Sequence, residues 1–103
     1  MRVIKPTDFQ GEKAWDALDI EQIQNATVRL HWADQPYIWH VNDGPEVFVL
    51  LDGKVEMHIG DAGLESVLQL SPGEIFHAET GDRHKAVPLV PSRILVIESE
   101  GSI

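Results

Sequence analysis

The chain contains no cysteine. Disulfides and thiolate metal sites are thereby excluded, so any first-row metal must be held by imidazole, carboxylate, amide or water. Cations are scarce as well: 8 Lys and Arg stand against 17 Asp and Glu, a formal net charge of −9. Such a chain repels polyanions, and its basic residues are scattered apart from Arg83 and Lys85 on either side of His84. Nucleic acid and anionic membrane are not expected partners. No apolar run approaches membrane-spanning length, and residues 1–8 lack the apolar core of a signal peptide, so the expected location is the cytoplasm. Also missing are a Gly-rich phosphate loop and a nucleophile elbow, and no serine has a motif context that would make it a nucleophile.

What remains is a succession of short strand patterns punctuated by turn residues. A length of 103 residues suits one domain, 1–103, with a real but modest core. Residues 54–59 alternate cleanly, with Val55, Met57 and Ile59 on one face and Lys54, Glu56 and His58 on the other. Apolar runs at Val47-Phe48-Val49-Leu50-Leu51 and Ile94-Leu95-Val96-Ile97 read as strands covered on both sides. Further strands are expected at residues 26–32, 65–70, 74–78 and 83–87, with turns at Asp52-Gly53, 60–63 and 71–73. Residues 12–24 mix helical and alternating spacing, which predicts a short helical turn near Trp15 and a strand around Ile20. Regular short strands with Gly and Pro turns imply an all-β sandwich or barrel.

Polar residues of one chemistry gather at two places. His40 and Asn42 share a strand face, and Asp43-Gly44-Pro45 turns the chain into a strand that begins at Glu46. Gly81-Asp82-Arg83-His84 supplies a second imidazole beside another turn. Two imidazoles and one carboxylate are the usual ligand set of a non-haem metal site, which the Asn42 amide oxygen can complete. His77 reads as a strand-end rim residue or, should its strand face be the interior, as an extra ligand or acid–base group close to His84, and His31 and His58 read as surface residues without a role. Trp32, Tyr37, Trp39, Phe48 and Phe76 read as core or barrel wall.

These residues resemble the two motifs of the cupin superfamily, specifically its small single-domain members with a type-2 conserved barrel. His40, Glu46 and Gly53 match the first motif, and Gly73, Gly81 and His84 match the second. Asn42 stands where the family has a second histidine, and Glu79 where it has proline. The resemblance runs roughly from Thr27 to Glu98 and implies an all-β double-stranded β-helix, or jelly-roll, barrel. It also implies a divalent metal, iron, manganese, nickel or zinc, held by His40, Asn42, Glu46 and His84. A homodimer formed through an outer sheet face or an exchanged N-terminal strand is the implied assembly. Reactions in the family include dioxygenation, isomerisation, epimerisation and decarboxylation, so the fold names no reaction and no catalytic residue is assigned. Two functions are expected: a metal-dependent enzyme on a small organic substrate, or a metal-free module that binds a small molecule with His40, Glu46 and His84 hydrogen-bonded among themselves.

Overall fold

The computed structural model describes residues 1–61 and 63–102; the expected turn at 60–63 includes Ala62, which lies outside the described residues. Among the described residues nine strands form. They are β1 (Asp16–Ile23), β2 (Ala26–Ala33), β3 (His40–Val41), β4 (Glu46–Asp52), β5 (Val55–Asp61), β6 (Leu64–Leu70), β7 (Ile75–Ala78), β8 (Arg83–Pro88) and β9 (Ser92–Ser99). All pairings are antiparallel, in a five-stranded sheet of order β1-β2-β9-β4-β7 and a four-stranded sheet of order β3-β8-β5-β6. This is the jelly-roll architecture. No helix among the described residues is long and apolar enough to cross a membrane.

The two inner faces bury one core. Phe48, Leu50, Ile94 and Val96 from the larger sheet meet Val55, Met57, Leu70 and Ala86 from the smaller one. Alternation along each strand explains the choice, because Val55 and Met57 point inward while Glu56 and His58 pair with each other outside, 3.1 Å apart. In β9 the inward Ile94 and Val96 are buried and the outward Leu95 and Ile97 half-buried.

The N-terminal segment differs from expectation. Its single helical turn is a 3-10 turn at Pro6–Asp8, not near Trp15, because Pro6 presets the backbone angle of a first helical position. Trp15 instead closes a turn in which Asp16 N–H donates to Lys13 O, and its φ of 60° is incompatible with a right-handed helix. The strand then runs from Asp16 with a bulge between Asp19 and Glu21, so Ile20 falls at the irregularity. That break in alternation produced the mixed spacing. Residues 9–11 lie on the outside of the larger sheet. Phe9 O accepts from Arg93 Nε at 3.0 Å, and a Cβ on Gly11 would stand 2.7 Å from the Trp32 ring. Leu30 and Trp32, on the outer face of β2, are buried as a result.

The β4–β5 hairpin turns at Gly53, whose φ of 104° favours glycine and where an added Cβ would collide with Ser92. Ser92, fully buried, donates to Val90 O at 2.7 Å and accepts from Lys54 N at 3.2 Å, which leaves it no freedom to retreat. Gly53→Ala is expected to lower unfolding free energy by at least about 1 kcal/mol in urea titration, with the native spectrum retained.

Candidate metal centre

Strand register assembles the site. Two-residue β3 pairs with β8 so that His40 stands directly opposite His84, their ring centroids 4.4 Å apart. The pairing continues past β3, since Asn42 N–H donates to Asp82 O and Gly81 N–H donates to Asn42 O, both at 2.8 Å. Glu46 opens β4 on the facing sheet, and its inward side chain reaches His84, with Nε2 and Oε1 3.2 Å apart. His40, Glu46 and His84 each offer one ligand atom, all within 4.8 Å of one another. Glu46 and His84 are buried and His40 is half-buried.

The lone pairs of this cluster are incompletely used. His40 Nδ1 lies 3.1 Å from Ile38 O and donates to it, while Nε2, on the far side of the ring, is buried without a partner. Glu46 Oε1 and His84 Nδ1 are buried without a hydrogen bond as well. Asn42, also buried, donates from Nδ2 to Gly44 O at 3.3 Å, and this aims its Oδ1 at His84 Nε2, 2.6 Å away. Two oxygens, from Asn42 and Glu46, thus converge on one imidazole nitrogen. One proton serves only one of them, whereas a cation would satisfy both oxygens and the nitrogen.

Two participants were not legible as such. Glu98 is the cross-strand partner of Glu46. Burial, a hydrogen bond with Glu46 and the negative charge of Glu46 push its carboxyl up from an ordinary 4.5 to about 8. Burial also pushes Glu46 upward, but the neighbouring His84 and the Glu98 carboxyl outweigh it and hold Glu46 below the usual carboxylate range. Glu98 is therefore the neutral, donating member of the pair at neutral pH. The signal was present: Glu98 continues the inward series Ile94, Val96. His31 is the second, and here the expectation of a surface residue is corrected. It lines the same cavity as the triad, its Nδ1 is buried without a partner, and burial keeps its imidazole neutral by lowering its pKa. Its neighbours Leu30 and Trp32 made it look outward-facing, but both faces of β2 are covered.

The cavity measures about 50 Å³ and is lined by Trp15, Tyr37, Phe48 and Val96 together with His31, His40, Glu46, His84 and Glu98. Tyr37 packs edge-on against His40 and Trp15, at 5.5 and 5.0 Å between ring centroids. The volume admits an ion with accompanying water and excludes an organic substrate. His77 stays outside the triad, exposed on the outer face opposite Val47. His58 is half-buried on the outside of the smaller sheet. Trp39 lies under Arg83, whose guanidinium carbon is 4.1 Å from the ring centroid.

No protein-family model matches the chain, and no curated protein matches it. Solved structures do. A cupin-2 domain protein from Shewanella frigidimarina is similar over 95% of this chain and 95% of its own, with 23% identity and a TM-score of 0.80. A cupin superfamily protein from Desulfitobacterium hafniense is similar over 95% and 90%, with 13% identity and a TM-score of 0.76. A hydroquinone 1,2-dioxygenase in complex with Fe3+ is similar at 16% identity and a TM-score of 0.78, over 87% of this chain but only 29% of that enzyme. The chain has the cupin fold, with a His-Glu-His triad, two of its members buried, that could hold a metal ion.

A pH experiment isolates the carboxyl pair. Because the folded value of Glu98 exceeds its ordinary value of 4.5, its contribution to stability is complete below pH 4.5 and is lost as pH rises through about 8. In chelator-treated protein, Glu98→Gln should flatten the stability profile across that window and gain on the wild type at its alkaline end. Parallel wild-type and variant denaturation profiles from pH 5 to 9 would exclude the shared proton.

Proposed function

We propose that the chain is a metal-binding cupin acting on a small organic substrate, with a divalent ion held by His40, Glu46 and His84 and completed by Asn42. The observation that carries this reading is the set of buried, unpartnered ligand atoms: His40 Nε2 and Glu46 Oε1 have no hydrogen bond, and Glu46 Oε1 abuts His84 Nε2 at 3.2 Å. Leaving such atoms unsatisfied costs about 1–3 kcal/mol each, which a cation would recover. The Ile38 carbonyl fixes the His40 tautomer in the manner that orients metal-ligating histidines. Ligand chemistry admits iron, manganese, nickel or zinc, and one structurally similar enzyme binds Fe3+.

When bound, such an ion supplies Lewis acidity, or redox capacity in the case of iron, manganese or nickel. The protein's own part follows from the site: Glu98 holds a proton against Glu46, Asn42 and the Ile38 carbonyl orient the two imidazoles, and the Trp15 and Tyr37 rings restrict water. A second reading, the metal-free binding module, is favoured by the 2.6 Å bond between His84 and Asn42, which occupies His84 Nε2 without an ion. The proposal includes cytoplasmic residence, small-molecule rather than nucleic-acid or membrane partners in keeping with the net charge of −9, and a homodimer. Val28, Val47, Val49, Leu95 and Ile97 line up on the outer face of the larger sheet, only half-buried, and supply an apolar surface for the dimer.

Elemental analysis after chelation and reloading should give one ion per chain. His40→Ala and His84→Ala should each lose it while keeping the barrel, whereas Asn42→His should tighten it by at least about tenfold, since an imidazole replaces a weaker amide donor. Equal metal content in wild type and both alanine variants, or none in any, would leave the metal-free module. By light scattering the wild type should be dimeric, and Val47→Lys, which puts a charge into the apolar face, should be monomeric and folded.

A further inference from the structure

A cavity of about 50 Å³ is too small for an organic molecule, so a substrate reaches the triad only if one of the cavity walls moves. Three neighbouring spaces meet the metal cavity, and each is closed from it by residues that strands hold in place. The cleft of about 510 Å³ between β6 and β7 shares only the His84 ring with it, and His84 is 2% exposed. A groove of about 460 Å³ along β1 and β2 shares only Glu98, which is hydrogen-bonded to Glu46. The third space, about 20 Å³ beside Ser102, shares His40 and Glu98 and is itself no larger than the place of a water molecule.

The remaining wall is built differently. Of the residues that line the metal cavity, only Trp15 and Tyr37 lie outside strands. Tyr37 is fixed, because its N–H donates to Ala86 O on β8 at 2.9 Å and its ring stands edge-on to His40. The Trp15 indole is held more lightly. It follows the exposed residues 12–14, and one hydrogen bond, from Nε1 to Gln35 O at 2.7 Å, latches it to the loop after β2. Otherwise the ring rests edge-on against Tyr37 and His31, at 5.0 and 6.0 Å between centroids. A bulky aromatic residue at a φ of 60° lies in a region that side chains with a Cβ disfavour, so the latch and the ring contacts hold a conformation that the backbone resists. Next to the indole on the cavity wall stands His31, whose Nδ1 is buried without a partner.

We infer that Trp15 is the access residue of the site: its indole is a movable wall, and release of the Gln35 latch opens the metal cavity to ring-sized molecules. With the latch closed, the cavity passes only an ion, water and ligands as slender as azide. The inference deepens the metal reading and rests on it for the ion at the cavity floor; the movement of the indole does not depend on an ion.

Stopped-flow absorbance of the Co2+-loaded full-length chain, mixed with azide or with imidazole as the ring-sized ligand, tests it. In the wild type the imidazole rate should level off at high concentration, because opening precedes binding, while the azide rate rises without limit. Trp15→Phe keeps a ring and loses the latch, and should raise the imidazole plateau about tenfold, the size of one lost hydrogen bond, with azide unchanged. Trp15→Gly, which suits the backbone angle, should abolish the plateau. Equal imidazole kinetics in the wild type and Trp15→Phe, or azide accelerated by the same factor as imidazole, would overturn the assignment, the latter by making the effect a general loosening. Should no Co2+ bind to any variant, the metal reading fails and the wall is read without it, from 19F relaxation dispersion of chelated protein carrying 5-fluorotryptophan. Exchange at the Trp15 signal, identified by its loss in Trp15→Phe, would then support the movable indole, and a flat profile would refute it.

Discussion

Strand register is the constraint on which the site depends. His40, His84, Glu46 and Glu98 come from four strands and two sheets, and they meet because β3 pairs with β8 at His40 and His84 while β4 pairs with β9 at Glu46 and Glu98. Side chains alternate along a strand, so a slip of one residue in either pairing would turn a ligand to the outside. Strand β3 is too short to fix its own position. The backbone of Asn42 does so instead, exchanging hydrogen bonds with Gly81 and Asp82, and Asp82 in turn ties down Glu79. The residues that set the register are therefore those of the site and the turn beside it.

Once in register, the groups form an economical charge set. Two carboxylates side by side in a buried place cannot both ionise cheaply, and the pair resolves this by leaving the proton on Glu98 and the charge on Glu46. His31 is kept neutral by burial and Asn42 carries no charge. The described interior thus presents a single buried anion, Glu46, beside the neutral Asn42 amide and the protonated Glu98 carboxyl, an arrangement that can receive a cation without burying further uncompensated charge.

The sequence disclosed the strands whose two faces differ. Residues 54–59 alternate because β5 has core on one side and solvent on the other, and the hairpin at Asp52-Gly53 followed from its turn chemistry. It was ambiguous wherever both faces are covered. β2 carries Leu30 and Trp32 outward under the N-terminal segment and His31 inward, so the apolar residues pointed away from the barrel core and the polar one toward it. That inversion depends on what residues 9–11 do in three dimensions, which local patterning does not encode. The bulge at Ile20 had the same effect on β1. Glu98 was hidden differently: its position followed from alternation, but its consequence depends on meeting Glu46 across strands far apart in sequence.

Asn42 is where the chain departs from the motif it otherwise matches, and its geometry suggests what the departure does. An imidazole there would offer one basic nitrogen, a stronger donor that competes with the proton for the same lone pair. The amide oxygen has no acid–base chemistry near neutrality and accepts the His84 N–H bond while Gly44 holds its orientation. On the proposed reading the same oxygen can face either a proton on His84 or a metal ion without rearranging. A neutral donor gives a dication less compensation, so affinity falls and occupancy becomes a matter of metal supply rather than near-permanent loading. In this view Asn42 weakens the site without dismantling it, because the Ile38 carbonyl still orients His40 and strand register still brings Glu46 and His84 together.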